Sequence, residues 1–291
     1  MSGELTGQSA IVTGAGRGIG RAVATSLAAA GADVVLVARS PGELEETSRQ
    51  VSALGRQAYA IPADVAQRQE VGRAVAGALE RLGKINVLVN CAGRQPPIGP
   101  LWENDPDDWV RTIEVNLLGT FHCIQALVPG MIARRQGKII NFSGGGATGP
   151  RPNFSAYAAS KAAIVRLTET LAEELRPFNV QVNAVAPGAI NTGMLDEVLA
   201  AGKAAGAELA AAQSRKAQGG TPIELAARLV VFLASGASGS LTGKLISAPH
   251  DGWQTWDAEH VARLADSPWY TLRRMDEHTL RPLLEDLRPE P

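Results

Sequence analysis

The chain contains few cysteines, histidines and aromatic residues. Its 291 residues include two cysteines and four histidines, and aromatic side chains make up 4% of the total. Cys91 and Cys123 are far apart in the sequence, so we expect two buried thiols rather than a disulfide. The histidines and cysteines do not have the spacing of metal ligands, and we predict no metal site.

The chain also lacks an excess of either charge and a long apolar segment. Its 28 basic and 29 acidic residues give a net charge of −1. This balance provides no attraction for nucleic acid or an anionic membrane, and we expect neither as a partner. No apolar run approaches the ~20 residues that span a bilayer, and the N-terminus has no signal-peptide pattern. We therefore expect a cytoplasmic protein.

Short β-rich apolar runs alternate with helical patterns from residue 8 to residue 247. Several runs, such as 34–37 and 87–89, are apolar throughout, which is typical of strands buried on both faces of a parallel sheet. The fold class we predict is α/β, a Rossmann-like doubly wound parallel seven-stranded sheet with helices on both faces. The strands are predicted at 8–13, 33–38, 57–61, 86–91, 138–143, 180–185 and 244–247. The helices are predicted near 18–30, 42–54, 67–82, 106–131, 154–176 and 222–235, with Asp105 as a cap before Pro106.

A glycine-rich turn follows the first predicted strand. Its sequence, Gly14-Ala-Gly-Arg-Gly-Ile-Gly20, opens a helical pattern that carries Val23 and Leu27. Glycines let the backbone approach a pyrophosphate, and the helix N-terminus offers free N–H groups to the anion. A strand, a tight glycine turn and a helix in this order predict a dinucleotide-binding site.

Tyr157 and Lys161 lie four residues apart in a predicted helix. Their side chains therefore share one helix face, one turn apart. A phenol has an ordinary pKa of about 10 and is a poor acid or base at neutral pH. We expect the neighbouring ammonium to lower that pKa toward the working range. The pair is therefore a candidate for proton transfer.

These motifs resemble those of the short-chain dehydrogenase/reductase family, and the resemblance extends from Leu5 to Ser247. The matching pieces, in the order and at separations typical of the family, are Thr13-Gly14-x-x-x-Gly18-x-Gly20, Asp64-Val65, Asn90-Cys91-Ala92-Gly93, Asn116, a serine after the fifth strand, Tyr157-x-x-x-Lys161, Pro187-Gly188 and Thr192. The resemblance places a mobile, substrate-covering segment at residues 194–220.

The resemblance implies a catalytic role for four residues. Tyr157 would exchange a proton with the substrate oxygen, and Lys161 would lower the Tyr157 pKa and hold the nicotinamide ribose. Asn116 would support a water-linked proton path. A serine polarises the substrate oxygen, and Ser143 is the candidate.

The position of Ser143 departs from the family pattern. The family serine lies thirteen positions before the tyrosine, where this chain has Gly144. A one-residue offset on a regular strand reverses the face of a side chain. Three consecutive glycines, residues 144–146, follow Ser143. We expect them to let Ser143 turn back toward the site.

The resemblance also implies a set of cofactor contacts. They are Gly14, Gly16, Arg17, Gly18, Ile19, Gly20, Arg39, Asp64, Val65, Asn90, Ala92, Gly93, Tyr157, Lys161, Pro187, Gly188, Ile190 and Thr192, with Asp64 and Val65 at the adenine. An acidic residue at the end of the second strand normally binds the ribose of NAD. Here Ala38 holds that position, and Arg39 and Arg17 offer guanidinium groups to a 2′-phosphate. We therefore expect NADP (NADPH) as the cofactor, with NAD less favoured.

The predicted activity is hydride transfer between NADP(H) and a small-molecule secondary alcohol or ketone, with Tyr157 as general acid/base. Two alternatives stay open. One is a cofactor-binding protein with weak or no catalysis, in a regulatory or assembly role, for which the displaced serine is the only support. The other is a sugar-nucleotide epimerase or dehydratase, which also uses Tyr-x-x-x-Lys but generally has a larger C-terminal domain and a different glycine spacing.

We expect a cofactor-binding and catalytic domain at 1–247 and a C-terminal extension at 248–291. The extension holds three of the five tryptophans, Trp253, Trp256 and Trp269. Large aromatics are rare in disordered tails, so we expect the extension to be ordered and packed on its own or a neighbouring subunit. Helical patterns lie at 257–265 and 276–287. By resemblance, the chain is expected to form a homodimer through the helices at 106–131 and 154–176, or a homotetramer that also uses the C-terminal region.

Overall fold

Continuously apolar strands form the centre of the structure, a computed structural model that describes residues 3–276 and 279. Within these residues, seven strands make one parallel sheet in the order β3-β2-β1-β4-β5-β6-β7. The strands are β1 (Ser9–Thr13), β2 (Asp33–Ala38), β3 (Ala58–Pro62), β4 (Val87–Asn90), β5 (Gly137–Phe142), β6 (Val180–Ala186) and β7 (Leu245–Ser247). Val34 to Val37 are buried, as expected for strands covered on both faces. The predicted fold class is confirmed.

Helices cover both faces of this sheet. They are α1 (Gly18–Ala29), α2 (Pro41–Ala53), α3 (Arg68–Leu82), α4 (Pro106–Ile113), α5 (Gly119–Arg134), α6 (Ser155–Leu175), α7 (Gly193–Ala201), α8 (Glu208–Gln218), α9 (Ile223–Ala234) and α10 (Ala258–Asp266). Apolar residues of α1, α2 and α9 pack on one face of the sheet, and those of α3, α5 and α6 pack on the other. The hydrophobic core is therefore two layers separated by the strands.

The predicted helix at 106–131 is a helical run with a defect in its middle. Asp105 caps its start by accepting a 2.8 Å hydrogen bond from the Asp108 backbone N–H, which confirms the predicted cap. A π-helical turn at Glu114–Leu118 separates α4 from α5. By length and composition alone, the run Pro106–Arg134 is apolar enough to cross a membrane, with a mean hydropathy of 1.4 in its most apolar stretch, contrary to the expectation of no such segment. In the fold 39% of that stretch is buried, and the buried residues of α5 pack against the sheet.

The segment expected to cover the substrate contains the helices α7 and α8. Leu195 and Val198 of α7 and Ala212 of α8 are buried with Phe154 and Tyr157 in a third hydrophobic cluster. This cluster includes the start of α6 and the residue before it. The two helices therefore form one wall above the residues that precede and begin α6.

The start of the C-terminal extension packs against the same core layer as α9. Trp253 is 6% exposed, and its indole N–H donates a 3.0 Å hydrogen bond to the Ala248 carbonyl. The Phe232 ring lies 5.9 Å from Trp253, and Trp256 stacks on His260 of α10. Helix α10 confirms the predicted helix at 257–265. The helical pattern at 276–287 lies outside the described residues, apart from 276 and 279.

The connections around β1 determine where a ligand can bind. β1 lies between β2 and β4 and pairs with both, Thr13 standing opposite Val37 on one side and Asn90 on the other. Strands that follow β1 in the sequence are added first on one side of it, as β2 and β3, and then on the other side, from β4 onward. The loops that leave β1 and β4 therefore diverge to opposite faces of the sheet. In open parallel sheets such a divergence creates a crevice at the carboxyl ends of the strands.

We expect Trp253→Ala to lower the free energy of unfolding by about 3–5 kcal/mol, because it empties a buried indole site. Urea denaturation measures this loss. Trp102→Ala is the control, since the Trp102 side chain is 84% exposed, and its effect should stay within about 0.5 kcal/mol. Equal effects of the two substitutions would contradict the packing described for the extension.

Candidate functional site

A cleft of about 1500 Å³ opens at the carboxyl ends of the strands, where the chain order reverses. Most of the residues selected from the sequence line it. They are Gly14, Gly16, Arg17, Gly18, Ile19, Gly20, Arg39, Asp64, Val65, Ala92, Gly93, Ser143, Tyr157, Lys161, Pro187, Gly188, Ile190 and Thr192. Asn90 and Asn116 lie behind its surface instead, and they hold its walls in place.

The glycine turn between β1 and α1 packs closely against the backbone of the loop after β4. Gly14 has a φ of +67°, and a Cβ there would lie 2.9 Å from the backbone N and Cα of Ala92. The Thr13 hydroxyl accepts hydrogen bonds of 3.1 Å from the Cys91 and Ala92 backbone N–H groups. Helix α1 then begins without a side-chain cap. Its first N–H groups are therefore free for an anion, and the residues present fit a dinucleotide pyrophosphate.

The adenosine end of the cleft contains a carboxylate that the sequence analysis missed. Ala38 does end β2, as expected, and Arg39 follows it at the cleft. Glu43, in the first turn of α2, also lines the cleft, and its Oε1 lies 3.8 Å from Nη1 of Arg17. A search confined to the end of β2 misses Glu43 because it lies five residues further on and enters the pocket only through the packing of α2. Arg17 is therefore paired, whereas Arg39 has no ion-pair partner among the described residues.

Asp64 stands after β3 and is held by several hydrogen bonds. Its carboxylate pairs with the Arg111 guanidinium of α4, and its Oδ1 accepts a 3.0 Å hydrogen bond from the Ala66 backbone N–H. The Glu70 carboxylate accepts a 2.8 Å hydrogen bond from the Asp64 backbone N–H. These contacts fix the loop that carries Asp64 and Val65 at the edge of the cleft.

Asn90 and Asn116 support the cleft from behind. Asn90 is buried at the end of β4, and its amide donates a 2.9 Å hydrogen bond to Oδ1 of Asn141 on β5. Asn116 lies in the π-helical turn, donates 2.9 Å hydrogen bonds to the Arg94 carbonyl and Oγ of Ser160, and accepts one of 2.8 Å from the Arg94 N–H. It therefore links the loop after β4 to helix α6.

Tyr157 and Lys161 are buried at the floor of the cleft, one turn apart on α6. The Lys161 ammonium lies 5.5 Å from the Tyr157 ring centroid and donates a 2.8 Å hydrogen bond to the Phe142 carbonyl. Burial lowers the pKa of Lys161 to about 8 and raises the pKa of Tyr157 to about 12. The expectation of a lowered Tyr157 pKa is therefore wrong for this structure. Desolvation disfavours both charged forms, so the phenol is protonated at neutral pH.

The residue beside the phenol oxygen is Gly144. A Cβ on Gly144 would lie 2.3 Å from Oη of Tyr157, so a side chain there would displace the ring. Ser143 lines the cleft, but its Oγ is buried and has no hydrogen-bond partner among the described residues. Its backbone N–H donates to the Val185 carbonyl at 2.9 Å, which continues the β5–β6 pairing. The role of Ser143 at the substrate oxygen stays a prediction.

The side of the cleft under α7 and α8 carries charged residues that the sequence analysis did not single out. Arg151 pairs with Glu208 at the start of α8, and Arg94 pairs with Asp108 of α4. Burial raises the pKa of Glu197 on α7. These residues lie on loops and on the covering helices, where sequence patterns carry little information about side-chain partners. The described residues contain no cluster of metal-ligating side chains.

Comparison with known proteins agrees with this architecture. The family model described as short chain dehydrogenase matches residues 8–203. The chain is 43% identical over 240 residues to the short-chain reductase protein NovJ of Streptomyces niveus, covering 81% of this chain and 90% of that protein. It is 35% identical over 245 residues to 2,3-dihydro-2,3-dihydroxybenzoate dehydrogenase of Bacillus subtilis, covering 82% and 93%.

Solved structures give the same result. An NAD⁺-bound xylitol dehydrogenase superposes with a TM-score of 0.77 at 31% identity, covering 84% of this chain and 98% of that one. A gluconate 5-dehydrogenase from Burkholderia cenocepacia, in complex with NADP and tartrate, superposes with a TM-score of 0.75 at 33% identity, covering 84% and 94%. A nicotinamide cofactor is therefore supported, and this chain belongs to the short-chain dehydrogenase/reductase family of oxidoreductases.

Proposed function

We propose that this chain interconverts a secondary alcohol and a ketone with NADP(H), and that Tyr157 is the general acid/base. The observation that carries the proposal is the buried phenol of Tyr157 at the floor of the cleft, one helical turn from Lys161. A protonated phenol in a desolvated site is the form that carbonyl reduction requires, because the reduced oxygen must receive a proton. The experiment is a screen of ketones and secondary alcohols for cofactor oxidation or reduction.

Tyr157, Lys161 and Asn116 have different roles in the proposed reaction. A nicotinamide ring held in the cleft would supply the hydride to the substrate carbon, or would accept it in the reverse direction. Tyr157 gives its phenolic proton to the substrate oxygen during reduction and takes it back during oxidation. Lys161, fixed by the Phe142 carbonyl, places a positive charge beside the phenol whenever it is protonated. Asn116 holds the loop after β4 against α6, which keeps Gly93 at the wall of the cleft.

One observation favours a second candidate, a cofactor-binding protein with little turnover. Gly144 leaves no hydroxyl beside the phenol oxygen, and the Ser143 hydroxyl is buried without a partner among the described residues. A site that lacks a group to polarise the substrate oxygen loses part of its transition-state stabilisation. Cofactor binding without turnover across the whole substrate screen would favour this candidate.

The preference for NADP(H) rests on Arg39 and is opposed by Glu43. Arg39 lines the adenosine end of the cleft, and its guanidinium has no carboxylate partner among the described residues. A free guanidinium is suited to a 2′-phosphate. Glu43 partly neutralises Arg17 and would repel the same phosphate. We therefore infer that Arg39 supplies most of the discrimination.

We also propose that the chain is a homodimer or homotetramer. Val110, Leu118 and Phe121 lie on the outer face of the α4–α5 run and are 50%, 41% and 41% exposed. An apolar face of this kind is typical of a surface that a second protein copy covers.

Tyr157→Phe should lower turnover by ~10²–10⁴ while folding and NADPH binding persist, since only the proton-transfer oxygen is removed. Steady-state kinetics on the best substrate of the screen measure the loss. Tyr59→Phe is the matched control, because Tyr59 lies on the edge strand β3 and its hydroxyl donates a hydrogen bond to Gln57 on the protein surface. Near-normal turnover by Tyr157→Phe would reject the assignment.

NADPH should bind at least tenfold more tightly than NADH, a difference of ~1.4 kcal/mol. Fluorescence titration measures both affinities. Arg39→Asp should erode the preference, and Glu43→Gln should strengthen it by removing a repulsive charge. Arg49→Asp, on the exposed side of α2, serves as the control. Equal affinities for the two cofactors in the unmodified protein would disprove the preference.

Light scattering at micromolar concentration should give a mass of two or four times the 30.4 kDa chain. Phe121→Glu should shift the distribution toward smaller species, because it places a charge in the apolar face. A monomer in the unmodified protein would count against the assembly.

A further inference from the structure

The glycines at 144–146 lie beside Tyr157 and Arg151. A Cβ on Gly146 would lie 2.7 Å from Cβ of Ala158 and 3.1 Å from Cβ of Arg151, whereas one on Gly145 would make an ordinary 3.8 Å contact with Cδ and Nε of Arg151. Gly144 packs directly under the phenol oxygen. A side chain at Gly144 would displace the phenol, and one at Gly146 would press on Ala158 and Arg151. These two glycines therefore allow Tyr157 and Arg151 to occupy their observed positions.

Arg151 stacks on the aromatic residues of this region. Its guanidinium carbon lies 3.9 Å from the centroid of the Phe154 ring and 5.2 Å from that of the Tyr157 ring. Both distances are within the range of a cation–π interaction, which is strongest when the cation is desolvated. The Arg151 side chain is 14% exposed. It therefore confines one side of the Tyr157 ring.

Arg151 is itself held in a fixed orientation. Its Nε and Nη2 donate 2.5 Å hydrogen bonds to the two carboxylate oxygens of Glu208. With its amide oxygen turned toward the guanidinium, Gln95 accepts hydrogen bonds of 2.8 and 2.7 Å from the two Nη atoms and donates one of 3.1 Å to the Met194 carbonyl. A bidentate pair of this kind fixes the plane of a guanidinium.

The charges of this pair act on Tyr157 in opposite directions. Burial is the main reason that the pKa of Tyr157 is raised; among the charged groups, Arg151 lowers that pKa and Glu208 raises it. The titratable groups that surround the phenol are Arg151, Cys91, Lys161, Glu197 and Glu208. The effects of Arg151 and Glu208 on the Tyr157 pKa can therefore be measured separately, although the two residues form one ion pair.

We propose that Arg151 is a positioning residue for Tyr157: it holds the phenol ring against Gly144 and stabilises the negative charge left on the phenol oxygen after proton transfer. The proposal rests on the proposed function of Tyr157 as the acid. The proton moves from the phenol oxygen to the substrate oxygen, and the charge that remains on the phenolate lies near the Arg151 guanidinium, whose carbon is 5.2 Å from the ring centroid. Glu208 weakens this stabilisation and also ties the start of α8 to the same guanidinium.

The test measures ionisation of Tyr157 without any substrate. The protein has three tyrosines, so ring-labelled tyrosine gives three ¹³C NMR signals, and Tyr157→Phe identifies the relevant one. Arg151→Met should raise the pKa of Tyr157, so that the phenolate fraction at a fixed alkaline pH falls by about tenfold, the lower end of the effect of an adjacent charge. Glu208→Gln should lower that pKa. Arg151→Lys keeps the charge and should move the pKa less than Arg151→Met.

The opposite shifts of the Tyr157 pKa in Arg151→Met and Glu208→Gln distinguish this electrostatic role from a purely structural contact. Both substitutions break the same ion pair, so a purely structural contact would shift the Tyr157 signal in the same direction in both variants. That result, or no shift in either, would overturn the proposal. Arg176→Met is the matched control, because Arg176 forms a similar bidentate pair with Glu173 on the exposed end of α6, away from the cleft. It should leave the Tyr157 signal unchanged.

Kinetics provide a second measurement on the best substrate of the screen. At a fixed pH, one pKa unit changes the phenolate fraction about tenfold, so Arg151→Met should lower kcat for alcohol oxidation about tenfold with a smaller change in KM. Glu208→Gln should leave kcat equal or higher. A change confined to KM in Arg151→Met would contradict the role. If the Tyr157→Phe variant retains activity, the proposed function fails. If Tyr157→Phe is inactive but Arg151→Met has normal kinetics, the proposed function stands and only this inference fails.

Discussion

The hydroxyl of Thr13 joins the two strands at which the chain order of the sheet reverses. It lies at the end of β1 and accepts hydrogen bonds from the first two backbone N–H groups after β4, those of Cys91 and Ala92. The loop after β4 is thereby drawn against Gly14, where no side chain has room. The floor of the cleft and the approach of a dinucleotide to the backbone both depend on this contact. The diverging loops alone would open a crevice of undefined width.

Burial, rather than mutual charge, sets the ionisation of the groups at the floor of the cleft. Desolvation raises the pKa of Tyr157 and of Cys91 to about 12 and lowers that of Lys161 to about 8. All three shifts favour the neutral form, as expected where water is excluded. In such a site, each charge that arrives with a ligand or develops during a reaction acts more strongly than it would in water. The cations that surround the floor therefore matter for the chemistry.

Most of those cations are held by carboxylates from other elements. Arg17 pairs with Glu43, Arg111 with Asp64, and Arg151 with Glu208. Each pair links a loop of the cleft to a helix that packs beside it, so the charge at a given point depends on how two elements meet. Arg39 differs, because the described residues offer it no carboxylate. The adenosine end of the cleft therefore has a guanidinium that is unpaired within the described part of the chain, that of Arg39, whereas the Arg151 guanidinium at the other end is paired with a carboxylate.

The sequence by itself determined the fold and the composition of the cleft floor, because those features depend on short-range patterns. Apolar runs marked the strands to within a residue or two, the glycine turn marked the junction of β1 and α1, and the spacing of Tyr157 and Lys161 placed both on one face of α6. Only the tertiary structure decided what surrounds them. The partnership of Arg17 with Glu43, the approach of Gly144 to the phenol, the supporting position of Asn116 and the contact of Arg151 with Tyr157 all depend on the packing of separate elements. Burial likewise reversed the expected direction of the Tyr157 pKa, because the degree to which water is excluded is a property of the assembled fold.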